Sequence, residues 1–230
     1  MRLDSYCGKI FYLEVFDMKG LLIKDIKLIK TRGIFILFVV AAYAVLQLGA
    51  GNIEMSVGLT TLILSIFSIT SITYDEYDNG MPFLFTLPIT RREYVREKYV
   101  FGFALATITW VVMSIICFSF EYFVWTESVN ALPEKLAFTV AYLLVVYFMV
   151  AFEIAMKLKF AERSGLATMI IMAVMGALIV LVYSTFDLGT KLVDAKFLEV
   201  KLFIGMAVVF AAMIYGFYRW SVRIMEMREL

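Results

Sequence analysis

Six long stretches of the chain contain no Asp, Glu, Lys or Arg: Gly33–Ile53, Met55–Tyr74, Tyr99–Phe120, Leu136–Phe152, Ser164–Phe186 and Leu202–Tyr218. Crossing a bilayer as a helix takes about 20 mostly apolar residues. The fourth stretch reaches that length by continuing past Glu153 to Met156. Backbone amides and carbonyls in hydrocarbon must bond within their own segment, so each stretch predicts a helix. Asn79–Thr90 is also uncharged, but it is short and holds Pro82 and Pro88, so it predicts no span.

The polar positions between these stretches are unevenly charged. Arg2, Lys9, Lys19, Lys24, Lys27, Lys30 and Arg32 precede the first, whereas the link from first to second has no Lys or Arg. Counted link by link, 17 of the 21 Lys and Arg residues fall on one side and four on the other. Basic residues are retained in the cytoplasm, so the richer side is predicted to be cytoplasmic, with both termini inside. The expectation is an all-α integral membrane protein with six transmembrane helices. Residues 1–32 would be a cytoplasmic or interfacial segment, 33–220 the membrane domain and 221–230 a cytoplasmic tail.

Composition supports the membrane reading. Of 230 residues, 63% are hydrophobic and 18% charged, against about 45–50% and about 25% in soluble domains. Mean hydropathy is +0.88, more apolar than one soluble core of this size can hide. A disordered chain and a disulfide-stapled domain are both excluded. With two cysteines, Cys7 and Cys117, and no histidine, there is no basis for a metal site, a His-based triad or His proton transfer. A net charge of +1 gives no reason to expect a nucleic-acid partner.

Before the first stretch, no apolar core long enough for a signal peptide is present. Met18 reads as a second start, which would make residues 1–17 an upstream extension. In 19–32, Lys24, Lys27 and Lys30 recur every third residue, while Leu21, Leu22, Ile26 and Ile29 gather on another face. Two readings fit: an amphipathic helix in the inner interface near anionic head groups, or a basic flank that only sets topology.

The link Asp75–Lys98 has internal design. Acidic Asp75, Glu76 and Asp78 lead to an Asn79-Gly80 turn signal, then apolar Met81-Pro82-Phe83-Leu84-Phe85. Pro88 stops any helix. Thr90-x-x-Glu93 is a capping box, predicting a helix that starts at Arg91 and runs into the third span through Tyr94, Val95, Lys98 and Tyr99. The alternation of acidic, apolar and basic patches suits a docking element for a cytoplasmic partner; a solvated loop before a well-capped helix is the plainer reading.

Tyr74-Asp75-Glu76, Thr86-Leu87-Pro88-Ile89-Thr90-Arg91 and Val95-x-x-Lys98-Tyr99 together resemble the cytoplasmic signature of bacterial type-2 ABC transporter permeases. That signature reads small residue–Leu-Pro-Val-Ser-Arg, then Val-x-x-Lys-Tyr; Thr86, Ile89 and Thr90 depart from it conservatively. Met18–Lys30 also resembles the family's amphipathic start, so the motif region covers about residues 18–110, and the second half resembles the family in span layout. Within the family, the chain is similar to small permeases of peptide exporters, such as phenol-soluble-modulin exporters of Gram-positive bacteria. The resemblance implies a permease in the bacterial plasma membrane that pairs with a second copy or a related permease. It also implies two cytoplasmic ABC ATPase subunits that bind ATP and Mg, with no cofactor on this chain. The sequence has no Gly-x4-Gly-Lys-Ser/Thr phosphate loop. By this resemblance Asp75, Glu76, Pro88, Thr90, Arg91, Glu93 and Tyr94 form the main coupling element, and Lys157 and Arg163 a second contact. The implied cargo is apolar or amphipathic, such as a peptide toxin, moved outward.

Thr61, Ser65 and Ser68 share one face of the second span. They are candidates for a cargo cavity or a permease–permease contact; the alternative is that they bond their own helix and allow close packing. Glu153 is the one carboxylate within a span, and Lys157 four residues on predicts an ion pair at the interface. Glu121 and Glu127 are expected in solvent beside an outer aromatic belt of Tyr122 and Trp125. Ala212-x3-Gly216 and Gly102-x3-Ala106 are small-residue pairs suited to helix contacts. Two other functions fit the composition: a membrane immunity protein that binds a toxin without ATP, and, resting on Glu153 alone, an intramembrane enzyme.

Overall fold

The computed structural model describes residues 19–31, 33–34, 38, 41, 53–77, 80–124, 132–160 and 196–228. Residues 19–31 form helix α1. Then come α2 (Ile53–Glu76), α3 (Gly80–Leu84), α4 (Arg91–Val124), α5 (Leu132–Phe160) and α6 (Lys196–Met227). No strand occurs among the described residues. Three segments there are long and apolar enough to cross a membrane: Ser56–Glu76, Arg91–Phe120 and Lys135–Phe160. They coincide with the second, third and fourth uncharged stretches. The sixth, Leu202–Tyr218, lies within α6, a helix of 32 residues. The first stretch lies almost wholly, and the fifth wholly, outside the described residues, as do residues 1–17 and Arg163.

With 34 residues at about 1.5 Å each, α4 is longer than a hydrocarbon core of about 30 Å requires. Its charged first two turns therefore extend beyond the apolar run that starts at Tyr99. The bundle is built by α2 lying against α4 and α5, and by α6 lying against α5 and α4. Its larger core, around Ile72, Tyr94, Val95, Tyr99, Val150, Ile154, Leu158 and Met225, joins the last turns of α2, α5 and α6 to the first turns of α4. A smaller core of Val57, Met113 and Cys117 sits toward the other end, as antiparallel α2 and α4 require.

Helices in lipid gain little from burying apolar surface against one another, so close approach matters more. Gly102 supplies it: a Cβ there would lie 2.7 Å from Val150 Cγ1 and 3.3 Å from Ser68 Oγ. Gly58 does the same beneath Tyr142, with a Cβ 2.8 Å from the ring. Tyr99 donates to the Ala151 carbonyl at 3.0 Å and meets Ser221 Oγ at 2.9 Å, tying α4 to α5 and α6. Ile108, Val111, Val112, Ile115 and Ile116 leave an apolar face of α4 exposed. A water-soluble surface rarely carries such a patch, but a lipid-facing one does.

Candidate functional site

The predicted capping box forms. Thr90 N donates to Glu93 Oε2 at 2.7 Å, and Glu93 N donates to Thr90 Oγ1 at 3.2 Å, so two of the first free amides of α4 are satisfied. Upstream, the apolar stretch closes into the five-residue α3. Pro82 is tolerated there because the first turn of a helix needs no amide from it. Met81 is buried and Phe85 packs edge-on against Tyr94, with ring centroids 5.8 Å apart. Gly80 passes so close to the chain that a Cβ would lie 2.8 Å from the Asp75 carbonyl oxygen. Two inward anchors thus hold α3 while Phe83 (74% exposed) and Leu87 (49%) project outward.

Behind this turn lies a buried charge cluster. Lys98 is 1% exposed. Its Nζ is 2.5 Å from Asp25 Oδ2 of α1, 3.0 Å from Asp75 Oδ2 of α2 and 3.3 Å from Glu97 Oε2. Ser71 donates to Asp25 Oδ2 at 2.5 Å and Tyr94 donates to Asp75 Oδ2 at 3.1 Å. Lys24, partly exposed, pairs with Asp75 from the rim. Burial alone would raise the Asp25 carboxyl, but the charge and hydrogen bond of Lys98, with Ser71 and Lys24, hold it below the ordinary aspartate value. The cluster fastens α1 to α2 and α4.

A second network clasps the helix ends. Arg91 Nη1 donates to the carbonyls of Met225, Glu226 and Arg228 at 3.0, 2.9 and 2.8 Å. Those carbonyls at the end of α6 have no intrahelical partner, so a cation there meets both their hydrogen-bonding need and the helix dipole. Arg92 pairs with Glu226 at 2.6 Å. Glu76 at the end of α2 takes Arg228 at 3.0 Å and Lys157 of α5 at 3.7 Å. One end of the bundle therefore joins α2, α4, α5 and α6 through Arg91, Glu76, Lys157 and Arg228.

The sequence-predicted residues divide accordingly. Asp75, Glu76, Tyr94 and Lys157 turn into the bundle, while Pro88 and Thr90 are exposed and Arg91 and Glu93 are half-buried. Lys157 reaches across to Glu76, and Glu153 has no ion pair among the described residues, so the predicted Glu153–Lys157 pair is replaced by an interhelical one. Thr61 donates to the Val57 carbonyl at 2.7 Å, Ser65 to Leu62 at 2.8 Å and Ser68 to Ser65 at 2.7 Å, all buried within the protomer. These are the own-helix bonds that the close-packing alternative calls for. Sequence reasoning missed Asp25, although a signal was there: it shares the arc of Leu21 and Leu28, away from the outer lysines.

These features define a multi-pass membrane protein whose charged helix ends are locked together beside an exposed apolar turn. Residues 20–226 match the family model described as ABC-2 family transporter protein, which covers most of the chain. The chain belongs to that family. It is an ABC transporter permease, a transport subunit partnered by an ABC ATPase. No curated protein and no solved structure gives a significant match.

Proposed function

We propose that α3 and the turn after it are the element through which the ABC ATPase moves this permease. The observation that carries the reading is the outward projection of Phe83 and Leu87 from a turn whose Met81 and Phe85 are anchored in the bundle. An exposed aromatic on a held scaffold suits a binding hot spot. Force on this turn would pass through the Thr90 cap into α4, and through Arg91 and Glu76 to α6, α2 and α5. The four helices would then move as a unit.

In this reading the clasped end faces the cytoplasm of a bacterial plasma membrane. Support comes from the excess of Lys and Arg on that side and from α1 and the end of α6 lying together there. The full permease has six spans with both termini inside and works as a homodimer or with a related permease, docking two ATPase copies that bind ATP and Mg. The cargo is apolar or amphipathic, a peptide toxin by the resemblance to modulin exporters, and it moves outward. Pro88, Thr90 and Glu93 shape the docking turn; Asp75, Glu76, Arg91, Tyr94 and Lys157 carry its displacement into the bundle.

The test is co-purification with the cognate ATPase in mild detergent, reading both subunit ratio and ATP hydrolysis. Phe83→Asp places a charge in the apolar contact and should weaken association at least about thirtyfold, or about 2 kcal/mol. Tyr122→Ala, exposed at the far end of α4, should leave association unchanged. Normal association of Phe83→Asp would refute the docking assignment.

A further inference from the structure

The charge cluster where α1 meets α4 is short of one partner. Glu97, two residues before the apolar run of α4, has no exposed surface, and neither of its oxygens receives a hydrogen bond. Asp25 Oδ1 on α1 is equally buried and receives none either. Buried carboxylate oxygens without donors are rare and costly. Lys98 does not meet the need. Its nearest acceptors are Asp25 Oδ2, Ser71 Oγ and Asp75 Oδ2, as many as an ammonium has N–H donors. Glu97 Oε2 comes after them, at 3.3 Å. Lys24 of α1 stands at the rim, on Asp75 and 3.4 Å from Asp25 Oδ1. Tyr94 gives its hydroxyl proton to Asp75, while Lys157 of α5 and Arg228 of α6 go to Glu76. Three carboxylates thus face two ammonium groups, and the cluster lacks one positive charge.

We propose that Asp25 and Glu97 share one proton at neutral pH, making the junction of α1 with α4 a proton-binding site. Two buried carboxyls drawn to one ammonium repel each other, and a shared proton removes that repulsion. Lys98 and Ser71 keep Asp25 ionised, so the proton resides on Glu97, and its O–H donates to Asp25 Oδ1. That single bond partners oxygens on both residues and cancels the surplus charge. No group of acids among the described residues is arranged to hold a metal ion instead. Docked α1 holds the proton; undocked, with both carboxyls in water, it releases it. Docking is therefore fuller at pH 6 than at pH 8. On the orientation proposed above, the proton exchanges with the cytoplasm, and a rise in its pH loosens α1 from the first turns of α4.

The experiment uses the full chain in mild detergent with Cys7→Ser; buried Cys117 is left in place. Leu21→Cys puts a thiol on the covered face of α1, and Ile23→Cys puts one on its open face. The maleimide labelling rate of the first, divided by that of the second at each pH, cancels thiol ionisation and reports undocking. One bound proton changes an equilibrium by up to about tenfold per pH unit, so the ratio should rise about tenfold from pH 6 to pH 8. Glu97→Gln keeps the shape of the protonated acid and should hold the ratio low and flat. Glu153→Gln removes another buried carboxyl and should leave the rise intact. Infrared difference spectra should show a protonated-carboxyl band that fades from pH 6 to pH 8 and is missing from Glu97→Gln. A flat ratio in the parent chain, a rise that survives Glu97→Gln or vanishes with Glu153→Gln, or no such band overturns the proposal. So does a ratio that responds to sodium at fixed pH, because the site would then hold a metal ion. If Glu97→Gln does not fold, the parent chain's ratio and band still decide. No ATPase is present, so failure here is distinguishable from failure of the docking test.

Discussion

Replacing Lys98 with methionine keeps the length of the side chain and removes its charge. The wild-type cluster sets three carboxylates, Asp25, Asp75 and Glu97, against two ammonium groups, Lys98 and Lys24. After the change only Lys24 remains, and its side chain is 41% exposed, so solvent screens much of what it offers. Asp25, with no exposed surface, would keep only the Ser71 hydroxyl and the screened Lys24 ammonium at 3.4 Å. Breaking a buried pair by removing one partner costs about 3–5 kcal/mol, because the other charge is stranded. Total stability is about 5–15 kcal/mol for a typical domain, so a large share of the folded population would be lost at moderate denaturant. The assay is a denaturing-detergent titration of the purified permease, with Asp25→Asn and the double variant completing a cycle. Asp25→Asn should also be costly, and the double variant should cost clearly less than the sum of the singles. A cost below about 1 kcal/mol for Lys98→Met, or strict additivity, would refute a coupled buried pair.

Other outcomes are equally direct. Gly102→Ala should destabilise the bundle by about 1–3 kcal/mol, since the new Cβ meets Val150, whereas Gly216→Ala, with open space around it, should be neutral or stabilise by up to about 1 kcal/mol. Melting curves of the two variants in one detergent would check this. Thr90→Ala should cost about 0.5–2 kcal/mol by removing a cap, seen as faster hydrogen exchange at the first amides of α4 with little change in the span. Because folding lowers the Asp25 pKa, its contribution is complete above the ordinary value of about 3.9 and is lost as pH falls through the lower folded-state value. Stability measured against pH should therefore show this loss only below about pH 4, and Asp25→Asn should abolish that part of the profile.

Much of the fold was legible because its signals are local. Met55–Tyr74, Tyr99–Phe120 and Leu136–Phe152 read as helices since lipid leaves the backbone no other choice, and all three lie within longer helices. The start of α4 was legible for the same reason: Thr90 and Glu93 satisfy each other across three residues, whatever surrounds them. The roles of the link residues were less visible. Asp75 and Glu76 look like solvent-facing acids beside a turn, and a linear pattern cannot show that Lys98, Lys24, Arg228 and Lys157 converge on them.

By itself, the sequence determined that this chain is a helical membrane protein, where three of its spans lie and which way its basic residues are distributed. Those properties depend on transfer to lipid, on backbone hydrogen bonding within a segment and on charge near a span, each felt within a few residues. Only the tertiary structure decided which face of each helix turns inward. It buried Asp25 against Lys98, turned Lys157 from Glu153 to Glu76, sealed Thr61, Ser65 and Ser68 inside the protomer and left Phe83 outside. The reason is that burying a charge is tolerable only when its partner arrives from another helix. That meeting depends on residues as far apart in the chain as Glu76 and Arg228, 152 positions, a separation no periodicity along one helix records.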